Sequence, residues 1–151
     1  MRFALLAAAL LGAVAAPASA DSPEQLFNNN CAICHQVGGK GVPGQFPRLA
    51  GRVGTIAARP EGRAFLTTLV LSGMSGTIAV DGKTIVGIMP DFSSFSDDDL
   101  AAILTYVEGL GGAGGAPFTA ADMKAARARP IPQPGGMAAM RNALKAAKVI
   151  P

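Results

Sequence analysis

Cys31-Ala32-Ile33-Cys34-His35 is the stretch from which the rest of this chain is read: two thiols two residues apart, followed at once by the single histidine of the sequence. Each part has its own task in one chemistry. Two thiols add to the two vinyl groups of a haem, and the adjacent imidazole reaches the iron from the same segment. Other chemistries ask for more than the chain supplies. A redox-active dithiol is expected beside a βαβ unit, and a structural zinc site wants four nitrogen or sulfur ligands. With two cysteines and one histidine, the segment is read as the attachment site of one covalent haem c, with Cys31 and Cys34 as anchors and His35 as an iron ligand.

Because His35 has no second histidine to face, another kind of residue, water or nothing occupies the far side of the iron. Methionine is the natural candidate, its soft thioether favouring ferrous iron and raising the reduction potential. After residue 20 the chain offers Met74, Met89, Met123, Met137 and Met140. Met89 is the best placed: Gly87 permits close backbone approach, Pro90 fixes the next turn, and the segment reads as a loop. Met74, between Gly73 and the Ser75-Gly76 pair, is second. A methionine that merely fills the core is the ordinary alternative for each.

Upstream, Arg2 precedes an uncharged run from Phe3 to Ala16, and Pro17-Ala18-Ser19-Ala20 supplies small residues for cleavage. Residues 1–20 therefore read as a secretory signal peptide cut after Ala20, with the mature protein in the periplasm. A spanning helix needs roughly 20 apolar residues, more than this run has, and no membrane span is expected in the mature chain.

Residues 21–120 carry six basic and nine acidic side chains, whereas residues 121–151 carry six basic and one acidic. The core is acidic and the tail basic. Export, the lack of tryptophan and the lack of aromatic-basic interleaving argue against nucleic acid as a partner.

Ser22 and Pro23 read as the cap and first residue of a short helix that delivers the cysteines. Residues 37–54, with six glycines and two prolines, read as an extended loop able to lie against a ligand. Phe65, Leu66, Leu69 and Val70 fall on one face of a helix from Glu61 to about Ser72, ended by Gly73. Residues 77–80 and 83–86 are β-favouring runs joined by Asp81-Gly82, the signature of a tight hairpin. Ser96 caps a helix with Asp97, Asp98 and Asp99 in its first turn and Leu100, Ile103, Leu104 and Val107 as its apolar stripe. The Gly-rich run 111–115 leads to a short helix from Thr119, which Pro130, Pro132 and Pro134 end, and to another over residues 137–149. These divide the chain into a signal peptide (1–20), a haem domain (21–110) and a Gly-rich linker with a basic helical tail (111–151), the tail reading as appended.

The helix before Cys31, the Pro47-Arg48-Leu49 loop, Gly87-Ile88-Met89-Pro90 and the final core helix bearing Tyr106 together resemble the class I c-type cytochromes over residues 22–110. The fold this implies is mainly α, a small helical domain around one covalent haem, with a short β-hairpin insertion and a helical tail. The resemblance implies that Phe27 and Tyr106 meet where the first and last core helices cross, and that the Pro47 carbonyl accepts a hydrogen bond from the His35 ring. The stretch from Val42 through the hairpin to Pro90 is similar to cytochromes that serve as subunits or acceptors of periplasmic dehydrogenases.

The activity implied is one-electron carriage, not catalysis. The partners would be redox proteins, a dehydrogenase or an oxidase subunit, met by a free carrier or by a member of a hetero-oligomer. Arg48 and Arg52 are candidates to pair with haem propionates, and the tail's basic residues to dock on a partner. The competing function is a haem enzyme or gas sensor whose sixth coordination site stays open.

Overall fold

The computed structural model describes residues 21–112 and 114–151; the export signal expected over residues 1–20 lies outside them. Its helices are α1 (Pro23–Asn30), α2 (Ala32–His35), α3 (Val53–Ala57), α4 (Pro60–Ser72), α5 (Asp97–Gly109), α6 (Ala120–Arg127) and α7 (Pro134–Ala146), with one antiparallel hairpin of β1 (Met74–Val80) and β2 (Lys83–Met89) between α4 and α5. The fold is the mainly α one expected. Among the described residues no helix is long and apolar enough to cross a membrane.

Local chemistry explains where the elements begin. Ser22 Oγ accepts from the Gln25 N–H at 3.2 Å while Gln25 Oε1 accepts from the Ser22 N–H at 2.8 Å, a closed capping box ahead of Pro23. Ser96 caps α5 through the Asp99 N–H at 3.1 Å. Thr119 and Asp122 form a second box at the head of α6. Asp81 and Gly82 both take positive φ, 49° and 73°, the conformation of a type I′ turn.

Three local differences from the sequence reading have simple causes. The hairpin extends beyond its β-favouring runs, pairing Thr77↔Val86 onward to Gly76↔Gly87, Ser75↔Ile88 and Met74↔Met89. Met89 is therefore the last residue of a strand, not part of a loop; the ladder's hydrogen bonds carry the pairing past glycines that a propensity reading takes as its end. Pro134 starts α7 instead of preceding it, since a proline at the first helical position gives up an N–H that has no partner there anyway. And α3 is only five residues long, too short to show a periodicity.

One core runs through most of the molecule. Phe27 of α1 meets Tyr106 of α5 with ring centroids 5.5 Å apart, the contact that the cytochrome resemblance implied. Phe65, Leu66, Val70 and Leu71 of α4 join Leu100, Ile103, Leu104 and Val107 of α5 in the same cluster.

The C-terminal helices belong to that cluster too. Met123 and Met137 are 0 % exposed, and Phe118 and Ile150 are buried with them. The segment that leads into α6 is held by Arg63 of α4, which donates to the carbonyls of Ala116 (2.8 Å) and Pro117 (3.1 Å) and lies 3.8 Å from the Phe118 ring centroid. Ser72 donates to the Pro132 carbonyl, and α7 covers the hairpin, placing Ala138 against Ile78, Val80 and Ile85. The tail that reads as appended is packed into the protein. Composition showed its basic charge but not its inward face, because those contacts lie 53 to 62 residues away in sequence.

Met137→Ala is accordingly expected to cost about 2–5 kcal/mol, read as a lowered denaturant midpoint in guanidinium. An appended tail would leave that midpoint unchanged.

Candidate functional site

The attachment segment is delivered by a break between two helices. Helix α1 ends at Cys31, whose N–H still donates to the Phe27 carbonyl at 2.8 Å, and α2 carries Ala32 to His35. Gln36 then turns the chain sharply, at φ 62° and ψ 157°, a region in which a side chain is strained by about 1–3 kcal/mol. That reversal lets the Gly41 N–H donate to the His35 carbonyl at 2.8 Å, so that the glycine-rich loop folds back over the histidine.

The loop meets the imidazole itself. His35 Nδ1 lies 2.9 Å from the Pro47 carbonyl oxygen; a carbonyl only accepts, so Nδ1 carries the proton and Nε2 presents a lone pair. Burial pushes the His35 pKa below its usual value, against the smaller upward pull of this hydrogen bond. The ring is thus neutral at neutral pH and able to bind a metal through Nε2.

Cys31 and Cys34 are free thiols. Burial, reinforced by the neighbouring Cys34, pushes the Cys31 pKa up to about 11. A redox-active dithiol needs a depressed thiol pKa, so this environment argues against that use of the pair.

Cys31, Cys34, His35, Pro47 and Met89 all line one cavity of about 330 Å³, which also takes in Met74. The five residues singled out from sequence are therefore brought together, with the runner-up beside them. A second cavity of about 110 Å³ adjoins it, sharing His35, Pro47, Met74 and Met89 and reaching into the core past Phe65, Leu104 and Arg141.

The glycine that brings backbone close to Met89 is Gly73 rather than Gly87. A Cβ on Gly73, which has φ +66°, would sit 2.5 Å from the Met89 carbonyl oxygen, whereas Gly87 has nothing of the protein within 4 Å. Gly41 does the same on the histidine side, where a Cβ would lie 2.6–2.7 Å from the backbone of Phe46, Pro47 and Arg48.

Arg48 and Arg52 both turn towards Asp81 at the hairpin tip, Arg48 Nε at 3.1 Å and Arg52 Nη1 at 3.4 Å. The hydrogen bond from Arg48, followed by the charges of both arginines, holds Asp81 below the usual carboxylate range. Arg52 also donates to the Pro151 backbone oxygen at 2.6 Å. Sequence reasoning missed Arg141, read as a surface charge of the tail; it is 4 % exposed.

A half-buried, neutral imidazole with a free Nε2, two neighbouring thiols and apolar walls fit a haem attached at this segment. The comparisons agree. The family described as cytochrome c oxidase, cbb3-type, subunit III, matches residues 18–107, and the chain belongs to the class I c-type cytochromes with a single haem. It is similar to a protein named cytochrome c-552 from Thermus thermophilus, 38 % identical over 136 residues, covering 87 % of this chain and 90 % of that one. A second Thermus thermophilus cytochrome c-552 is 40 % identical over 106 residues, 67 % of this chain and 81 % of that protein. The chain is thus a haem c electron carrier that works with redox partners. Its cofactor is covalently bound haem c, and Cys31-Ala32-Ile33-Cys34-His35 fits the attachment motif.

Gly41→Ala is expected to push the Pro47 carbonyl off the His35 ring and to lower stability by more than about 1 kcal/mol. Faster exchange of the His35 Nδ1 proton, followed by NMR, checks the first effect, and denaturant unfolding the second.

Proposed function

We propose that this protein is a periplasmic one-electron carrier whose single haem is anchored by Cys31 and Cys34 and ligated by His35 and Met89, taking electrons from a dehydrogenase and passing them towards a terminal oxidase. The observation that carries the reading is the meeting, in one cavity, of Met89 with a histidine whose Nδ1 is already committed to Pro47.

The haem supplies the electron chemistry, cycling between ferric and ferrous iron. The chain's residues do the rest. Pro47 fixes the plane and tautomer of the imidazole, which keeps Nε2 aimed and basic. Gly73 and Pro90 constrain the backbone around Met89, which fixes the point from which its thioether reaches into the cavity. Ligands held in place need little rearrangement when an electron arrives, which suits a carrier.

Met74 stands directly across the ladder from Met89 and lines the same cavities. Its packing supports a different role. Met74 lies against both the main core and the small cluster beneath the hairpin, while Met89 packs against the main core alone. Met74 is the flexible filler between the two clusters.

Ile33 is 83 % exposed and Val37 is 64 % exposed, one within and one just beyond the attachment segment. An apolar, uncharged surface at this point suits a brief encounter, in which partners associate over a small area and release after one electron. The family description that names an oxidase subunit supports the acceptor side of the path, and the export signal read over residues 1–20 supports the compartment.

Met89→Ala should abolish the near-infrared sulfur-to-iron band of the oxidised protein and open the reduced haem to carbon monoxide, while Met74→Ala keeps the band. Rapid carbon monoxide binding by the wild type would instead favour the sensor or enzyme reading, with its open sixth site.

A further inference from the structure

Met89 ends β2 and Asp97 begins α5, and residues 90–96 between them form neither helix nor strand. A segment of this kind opens locally at a lower free energy than the fold as a whole, unless its backbone is tied to its neighbours. The half next to Met89 is tied to α4. The Phe92 N–H donates to the Val70 carbonyl at 2.8 Å, and Gly73 lets Pro90 and Asp91 lie close. The half next to α5 is tied from further off in sequence. Arg127, in the last turn of α6, donates Nη1 to the Ser93 carbonyl, Nη2 to the Phe95 carbonyl and Nε to Asp97 Oδ1, each at 2.7 Å.

This contact differs from an ordinary surface ion pair. Every nitrogen of the guanidinium is occupied, and two of the three acceptors are backbone carbonyls, so the bonds fix the course of the chain and not merely a side chain. A rigid planar fork meets three acceptors at once, whereas a lysine ammonium is a compact point charge on a flexible stem. The helix that carries the fork is itself anchored, with Met123 and Ala126 buried in the main core. The loop it holds reaches the haem site: Phe92 lines the larger cavity and meets Phe95 edge to face, ring centroids 5.7 Å apart. A continuous line of contacts thus runs from α6 through Phe95 and Phe92 to the segment that begins just after Met89. Arg127 itself lines neither cavity.

We infer that Arg127 is a positioning residue for Met89: it clamps the far half of loop 90–96 to α6, keeps the loop closed, and so holds the thioether at the iron without touching the cofactor. The ligand end of the hairpin is then set from two sides, by α4 through Val70 and Gly73 and by α6 through Arg127. A carrier has to keep the same ligands in both oxidation states, and this clamp serves that need by making the departure of Met89 rare.

The inference rests on Met89 being the sixth ligand, and stopped-flow mixing of the oxidised, haem-loaded full chain with imidazole tests it. Imidazole enters only after Met89 leaves, so at high concentration the binding rate levels off at the rate of that departure. Arg127→Gln is expected to raise the plateau roughly tenfold or more, through loss of hydrogen bonds from a charged donor, while the sulfur-to-iron band is still present before mixing. Arg127→Lys, which keeps the charge but loses the fork, is expected to raise it less. Arg129→Gln, an exposed arginine close by, is the control expected to leave it unmoved. Should Arg127→Gln fail to fold, Arg127→Lys carries the test. The raised plateau should respond only weakly to added urea, because local opening exposes little surface. A response as steep as that of global unfolding, or an unmoved plateau in a folded Arg127 variant, would overturn the clamp and leave the ligation standing. Absence of the sulfur-to-iron band from the wild type would overturn the ligation by Met89 instead.

Discussion

The hydrogen bond between the His35 ring and the Pro47 carbonyl, 2.9 Å long, is the contact around which the rest of the site is arranged. An imidazole can offer iron only one nitrogen, and the other must be given a fixed occupation or the ring rotates and changes tautomer. Meeting that demand requires a carbonyl twelve residues downstream to come back over the histidine. The strained turn at Gln36, the Gly41 bond to His35 and the close backbone approach that only a glycine at position 41 allows are the local consequences.

Across the cavity the means of positioning are different. A hairpin, rather than a loop, brings Met89 to the cavity, and Gly73 lets the end of α4 lie against the backbone that follows it. The hairpin in turn needs support, since two strands alone are marginal in water. Helix α7 provides it, and Arg63 and Ser72 tie the path that leads there.

Much of this was legible in the sequence because it is written locally. Caps at Ser22, Ser96 and Thr119, the Asp81-Gly82 turn and the apolar stripes of α4 and α5 are each decided within a few residues, and the attachment motif within five. The Phe27 and Tyr106 contact and the Pro47 carbonyl came through the cytochrome resemblance, since nothing near either residue states its partner. What stayed hidden was set by distant partners. The pairing of Met74 with Met89 depends on register carried through two glycines, the role of Gly73 on what lies across from it, and the burial of Arg141 on the hairpin that α7 covers. A basic, alanine-rich tail has the composition of a solvated helix whether or not one face is covered.

The tail's position also sets an order of events. Residues 31–35 are made about a hundred residues before those of α7, and bonds such as Arg52 to Pro151 span 99 positions. While the chain is being synthesised, the thiols exist without the helix that later covers the hairpin beside them.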